Sequence, residues 1–262
     1  MTNFLRRTLP ALTTITALAH GAASTAQDSA AQANNPLANT KAVNFQNQYF
    51  GELNGTDRDA NQFYLRFATP FQAFGGNWLA RLTVPVNTVP ELDGDDLTGL
   101  GDINLFAAYL IDTGNPGISF GIGPQITGPS ASEDALGSGK WSVGFANVLF
   151  NATSPKFQWG YLLTWQASFA GDEDRADVNL GAFQPFGFYQ LGQGWYLRTA
   201  SVWTYDFETD AYAVPLSLGI GKVIQTDRAV INMFVEPQRY VWTSDNIGQP
   251  EWGVFAGMNF QF

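Results

Sequence analysis

Apolar residues recur at every second position through most of this chain. From Trp159 to Phe169, the residues Trp159, Tyr161, Leu163, Trp165, Ala167 and Phe169 share one face, and Gly160, Leu162, Thr164, Gln166 and Ser168 share the other. The last segment sets Trp252, Val254, Ala256, Met258, Phe260 and Phe262 against Gly253, Phe255, Gly257, Asn259 and Gln261. Trp78, Ala80, Leu82, Val84 and Val86 alternate in the same way, as do Ile118, Phe120 and Ile122. A period of two belongs to strands, whose side chains point alternately to opposite faces. The pattern predicts twelve strands, at 43–51, 61–70, 78–87, 100–111, 117–127, 140–151, 157–170, 177–190, 195–206, 211–224, 229–240 and 251–262. The phase is weak in 195–206, where Trp195, Leu197 and Trp203 fall with Thr199 and Ser201, and it blurs around Pro185.

The connections alternate in length. Short turn sequences at 112–116, 153–156, 191–194 and 225–228 interleave with longer segments at 88–99, 128–139, 171–176, 207–210 and 241–250. Outer-membrane barrels have this asymmetry, with short periplasmic turns and longer external loops. Strands of this length match the reach needed to cross a bilayer at a tilt. In lipid every backbone polar group must be paired within the protein, so a spanning sheet has to close. Trp78, Trp141, Trp159, Trp195 and Trp252 stand at or near strand ends, where amphipathic rings sit at headgroup level. A soluble sandwich or lipocalin-like barrel shares the alternation, but it turns its apolar face inward and exposes few aromatics. The expected fold is all-β, a transmembrane antiparallel up-and-down β-barrel of twelve strands.

The chain start changes the picture of location. Arg6 and Arg7 precede a short apolar run, Leu9 to Ala19, and Ser24-Thr25-Ala26 supplies small residues before Gln27. This reads as a cleaved signal peptide over 1–26, so the protein is expected in the outer membrane of a Gram-negative bacterium. Residues 27–42 read as a flexible periplasmic leader that could fold into the lumen as a plug, and 43–262 as the barrel. The terminal Phe262 ends an alternating aromatic strand, as in substrates of the barrel assembly machinery.

Composition then narrows the chemistry. The chain has 262 residues, no cysteine and one histidine, His20, which the expected cleavage removes. Thiolate and imidazole chemistry would be absent from the mature protein, which argues against an enzyme. No cofactor is expected. The acidic balance, a formal charge of −10, disfavours nucleic acid. Of the 23 acids, 18 fall near the proposed external loops, which makes the rim attractive to cations and a candidate partner for lipopolysaccharide. Asp93, Asp95 and Asp96, and Asp172, Glu173 and Asp174, offer oxygen ligands for Ca²⁺ or Mg²⁺, although neither group completes a calcium-loop pattern. Acidic, solvated loops are the commoner explanation.

Inward charges are fewer. The strand phases turn Arg66, Arg81, Asp102, Asn104, Arg198 and Glu236 toward the lumen, with Gln46, Gln48, Tyr64, Gln166, Asn232, Asn259 and Gln261. They read either as a constriction that filters solutes or as a hydrogen-bonded network that fills a narrow barrel.

Gly99-Leu100-Gly101-Asp102-Ile103, followed by Pro129 and by Gly137-Ser138-Gly139-Lys140-Trp141-Ser142-Val143-Gly144, carries a resemblance. From about residue 60 to Phe262 the chain resembles the outer-membrane transporter family variously labelled neuromedin-U-like or phenol-degradation MetA-pathway barrel proteins. Phe145 stands where that pattern has proline. The resemblance implies an outer-membrane barrel that takes up small, often hydrophobic or aromatic compounds, and it supplies no binding residues. The expected function is a channel or transporter for small solutes. The alternative is a structural or surface-interaction barrel whose acidic loops bind lipopolysaccharide, divalent cations or a partner.

Overall fold

The computed structural model describes residues 33–56, 58–91, 94–245 and 248–262. The expected signal peptide and residues 27–32 lie outside the described residues.

Twelve antiparallel strands close into one barrel. In chain order they are β1 (Ala42–Leu53), β2 (Arg58–Ala73), β3 (Gly76–Pro90), β4 (Asp96–Leu100 continued by Ile103–Ile111), β5 (Ile118–Gly128) and β6 (Lys140–Asn151). Then come β7 (Phe157–Gly171), β8 (Asn179–Gly192), β9 (Trp195–Thr199 and Trp203–Asp206), β10 (Tyr212–Ser217 and Gly219–Gln225), β11 (Val230–Thr243) and β12 (Pro250–Gln261). Each pairs with its sequence neighbours, and β1 closes the ring on β12 from Ala42 opposite Gln261 to Leu53 opposite Pro250. Closure removes both sheet edges, so no row of backbone donors and acceptors is left open.

The two rims differ as the connection lengths predict. At one rim β2 turns into β3 through Phe74-Gly75, and β8 into β9 through Gln193-Gly194, with positive φ at all four residues. Such turns match the twist of paired strands. The start of β1 and the end of β12 share this rim, where the Phe262 amide donates to the Lys41 carbonyl at 2.9 Å. The other rim carries the longer connections, including 129–139 and 172–178.

The exterior is apolar. Leu105, Ile122, Ile126, Val143, Phe145, Leu216, Ile220 and Val235 are all exposed on the outer face. A patch of this extent is not seen on soluble monomers and suits lipid. Aromatic rings gather toward both rims. Trp78 packs on Phe71, Phe74 and Tyr109 at the terminal rim, and Trp252 packs on Tyr49 at the loop rim.

The interior has two tiers. Toward the loop rim it is mixed, with the amides and hydroxyls of Gln48, Gln62, Thr83, Gln125, Thr127, Gln166 and Gln238 set among rings such as Tyr64 and Tyr240. Toward the terminal rim it is packed with Phe106, Val148, Phe150, Phe186, Phe188, Tyr196 and Val223. Two inward glycines of this tier, Gly221 and Gly257, seat neighbouring rings. A Cβ on Gly221 would lie 2.2 Å from Tyr196 Cζ, and one on Gly257 2.6 Å from Phe234 Cζ.

The stretch with weak phase proves to be irregular. Around Ala200–Val202 the ladder between β9 and β10 lapses, and side chains bridge it. Ser201 Oγ and Trp203 Nε1 both donate to the Pro215 carbonyl, at 2.8 and 3.0 Å. Pro215 has no N–H to contribute to a ladder, which accounts for the break.

Candidate functional site

The lumen is the candidate site. Its outer cavity, about 500 Å³, opens toward the loop rim, and an inner one of about 160 Å³ continues toward the chain ends. Arg66, Arg81, Leu162, Gln184, Ala200 and Phe255 line both, so they form the waist between them.

The arginines reach the waist by strand geometry. Arg66 on β2 stands opposite Thr83 on β3, and Arg81 stands opposite Ala68. Same-face positions two residues apart on paired strands are diagonal neighbours. Arg66 donates to Gln46 Oε1, and its Cζ lies 4.5 Å from the Tyr64 ring centre. Arg81 lies over the Phe106 ring at 4.3 Å. Both Nε atoms are buried and have no hydrogen-bond partner among the described residues.

Arg198 and Glu236 meet at 2.5 Å, almost wholly buried. Glu236 accepts a second bond from the Ala200 amide at 2.9 Å, and the Arg198 guanidinium covers the Phe234 ring at 3.6 Å. Two opposite charges this close cancel each other where they stand. Asn104 donates to Thr127 Oγ1 at 2.9 Å and lines the outer cavity.

Asp102 differs from expectation. It lines neither cavity, because its carboxylate is occupied by the 129–139 loop. One oxygen accepts from the Ser130 and Ala131 amides at 3.1 and 3.2 Å, the other from the Ser138 amide and hydroxyl at 2.7 and 2.8 Å. The two sequence motifs around Asp102 and Ser138 therefore meet as a latch. The latch folds the loop against the mouth, where Asn87 donates to the Leu136 carbonyl at 2.9 Å and Leu136 is buried.

The acidic loop residues stay dispersed. Among the described residues no three carboxylates gather where a metal could bind. Asp96 pairs with Arg58 at 2.6 Å, and Asp172 Oδ1 accepts from the Asp174 amide within its own turn. Asp95 and Glu173 join no such group among the described residues, and Asp93 lies outside them. Asp177 lies 3.2 Å from the Lys140 ammonium, whose hydrogen bond, with that of the Ser168 hydroxyl, holds its carboxyl below the usual range.

Residues 33–41 occupy the terminal end of the lumen. Leu37 is buried among Leu79, Phe106, Ala108, Ala146 and Val148, and Ala33 among Phe150, Phe186, Phe188 and Tyr196. Asn232 on β11 donates to the Ala33 carbonyl and to Asn34 Oδ1, at 3.2 and 3.0 Å. Asn35 donates to Ser119 Oγ on β5 at 3.0 Å. β5 and β11 face each other across the ring, so the segment crosses the bore. The position of this segment was open to sequence reasoning, but the inward aromatics that receive it were not identified. Their signal is a stretch apolar on both faces, such as Leu105-Phe106-Ala107-Ala108-Tyr109-Leu110.

No family model matches the chain, and neither does any curated protein. Solved structures do. The COG4313 outer membrane channel from Pseudomonas putida F1 superimposes with a TM-score of 0.63 at 14% identity, over 85% of this chain and 94% of that one. The NanC porin follows at 0.54 and 10% identity, over 84% and 98%. The KdgM porin gives 0.50 at 9% identity, over 84% and 99%. At these identities the likeness is one of fold.

Proposed function

We propose that this chain is an outer-membrane channel for small solutes, with residues 33–40 acting as a plug at its periplasmic end. The observation that carries the reading is an outer cavity lined by amide, hydroxyl and aromatic side chains that shares an arginine-bearing waist with a smaller inner cavity, within a barrel clad in apolar side chains. A barrel built only as a wall has no need of that cavity. Barrels with a similar fold described as an outer membrane channel and as porins support the same reading. The terminal rim is then periplasmic, the acidic loops face outward, and the exposed Phe262 is available to the assembly machinery.

Solutes enter at the loop rim, shaped by the latched 129–139 segment, and meet Arg66 and Arg81 before the plug. The rings of Tyr64, Tyr240 and Phe255 among the amide side chains suit small aromatic compounds that also carry polar groups. This agrees with the aromatic solutes that the family resemblance implies.

The test is conductance in planar bilayers of the refolded mature chain, compared with the same chain lacking residues 33–40. Small or flickering steps from the whole chain and larger, steady steps from the shortened one are expected. A third variant, Asn232→Ala with Gln261→Ala, removes the side-chain donors that hold Ala33 and should fall between them. Silence from all three, with barrel folding verified by heat-dependent gel migration, would favour the structural, surface-binding barrel instead.

A further inference from the structure

The waist is charged without being neutralised. Of the charged residues lining the two cavities, Arg198 has Glu236 as its counter-ion, whereas Arg66 and Arg81 have none among the described residues. No carboxylate lines either cavity among the described residues. The two inward acids of this region are already committed, Glu236 to Arg198 and the Ala200 amide, Asp102 to the loop. No hydrogen bond among the described residues reaches the Arg81 guanidinium, and Arg66 has one, to a neutral amide.

Most of the lumen behaves otherwise. Gln46 donates to Asn259, Gln48 to Gln238, Thr127 to Gln166, and Gln184 to the Ala200 carbonyl. Polar groups in an enclosed site are normally matched in this way, because an unmatched one is costly. Two like charges on diagonal positions repel each other as well. An anion between them would relieve both costs. A guanidinium held over an aromatic ring can still offer N–H groups from its edge, and that fork matches a carboxylate with two parallel bonds. Leu162, Ala200 and Phe255 at the same level offer apolar contact for a carbon skeleton.

We infer that Arg66 and Arg81 form an anion-binding station at the waist of the lumen, specific for the carboxylate of a small aromatic solute. The inference rests on the channel reading for how the solute arrives, but binding itself can be measured without transport.

The experiment titrates 4-fluorobenzoate onto the refolded chain in detergent micelles and follows its ¹⁹F linewidth, with 4-fluorobenzamide as the neutral match and inorganic phosphate as competitor. Saturable broadening of the benzoate alone is expected, with little displacement by equimolar phosphate. Arg66→Gln or Arg81→Gln should each weaken binding about tenfold, the worth of one charge-assisted contact, and the pair should abolish it. If the double Gln variant does not fold, Arg66→Lys with Arg81→Lys keeps the charge and loses the fork, and should still bind more weakly than the parent. Equal broadening of the benzamide, benzoate binding unchanged in the folded variants, or full displacement by equimolar phosphate would each overturn the station. Benzoate binding with no conductance would remove the channel reading and leave the station in place. Conductance without benzoate binding would do the reverse.

Discussion

Arg198 and the Arg66–Arg81 pair carry the same group into the same lumen and meet opposite surroundings. On the β9–β11 wall, Arg198 lies against a buried carboxylate and an aromatic face, and its charge is cancelled where it stands. On the β2–β3 wall, two guanidiniums line the cavity beside each other with no carboxylate among their described neighbours and with unpartnered Nε atoms. The first arrangement fixes a wall, and the second leaves binding capacity unspent. An inward charge read from strand phase thus means nothing until its partner is known.

The contrast is broken most severely at Glu236. Glu236→Leu strands Arg198 without a counter-charge and should cost about 3–5 kcal/mol of barrel stability. The urea midpoint of unfolding from lipid vesicles measures it. Adding Arg198→Met should recover most of the loss, since both charges then leave together. Arg66→Gln and Arg81→Gln, by comparison, should shift that midpoint by about 1 kcal/mol or less while altering the lumen's ligand.

Asp102→Ala comes next. It leaves the Ser130, Ala131 and Ser138 amides without their acceptor and should cost about 2–3 kcal/mol, with faster proteolysis confined to the 129–139 loop. Gly221→Ala should cost about 1–3 kcal/mol, because the new methyl meets a buried Tyr196 ring whose hydroxyl is tied to Asn232 at 2.6 Å. A Gly221→Ala barrel as stable as the parent would show that the terminal tier is loosely packed.

The smallest effect is electrostatic. Asp177 has its folded-state pKa depressed by Lys140, so its contribution is present above the ordinary carboxylate value, about 3.9, and is lost as pH falls through the lower folded value. Asp177→Asn should therefore lower the thermal midpoint slightly at pH 7, and the gap should close below that folded value. High salt should shrink it at any pH, because the group is exposed.

Much of the barrel was legible because its exterior obeys one rule. Lipid demands an apolar residue at every outward position, so Trp159 to Phe169 and Trp252 to Phe262 announce both strand and outer face. The interior obeys no single rule. It is polar at Gln48 and Thr83 and aromatic at Phe150 and Phe186, and alternation disappears where both faces are apolar. The turn at Phe74-Gly75 was also hidden. A Phe with φ of 51° carries no turn signature, so β2 and β3 run further than the pattern predicts. Strand phase reads Asp102 as a lumen-lining charge, whereas it holds the 129–139 loop, because only the fold brings Ser130 and Ser138 to it. Which arginine is neutralised was beyond reach for the same reason. The Arg198–Glu236 contact spans 38 residues along the chain.

The most direct test of the account is ion selectivity across a planar bilayer under a KCl gradient, using the chain without residues 33–40. An unneutralised arginine waist predicts a reversal potential that favours chloride over potassium, despite the acidic rim. Arg66→Gln with Arg81→Gln should bring that potential to zero or reverse its sign. A potassium preference that is the same in parent and variant would contradict it, and would place control of the path in the acidic loops.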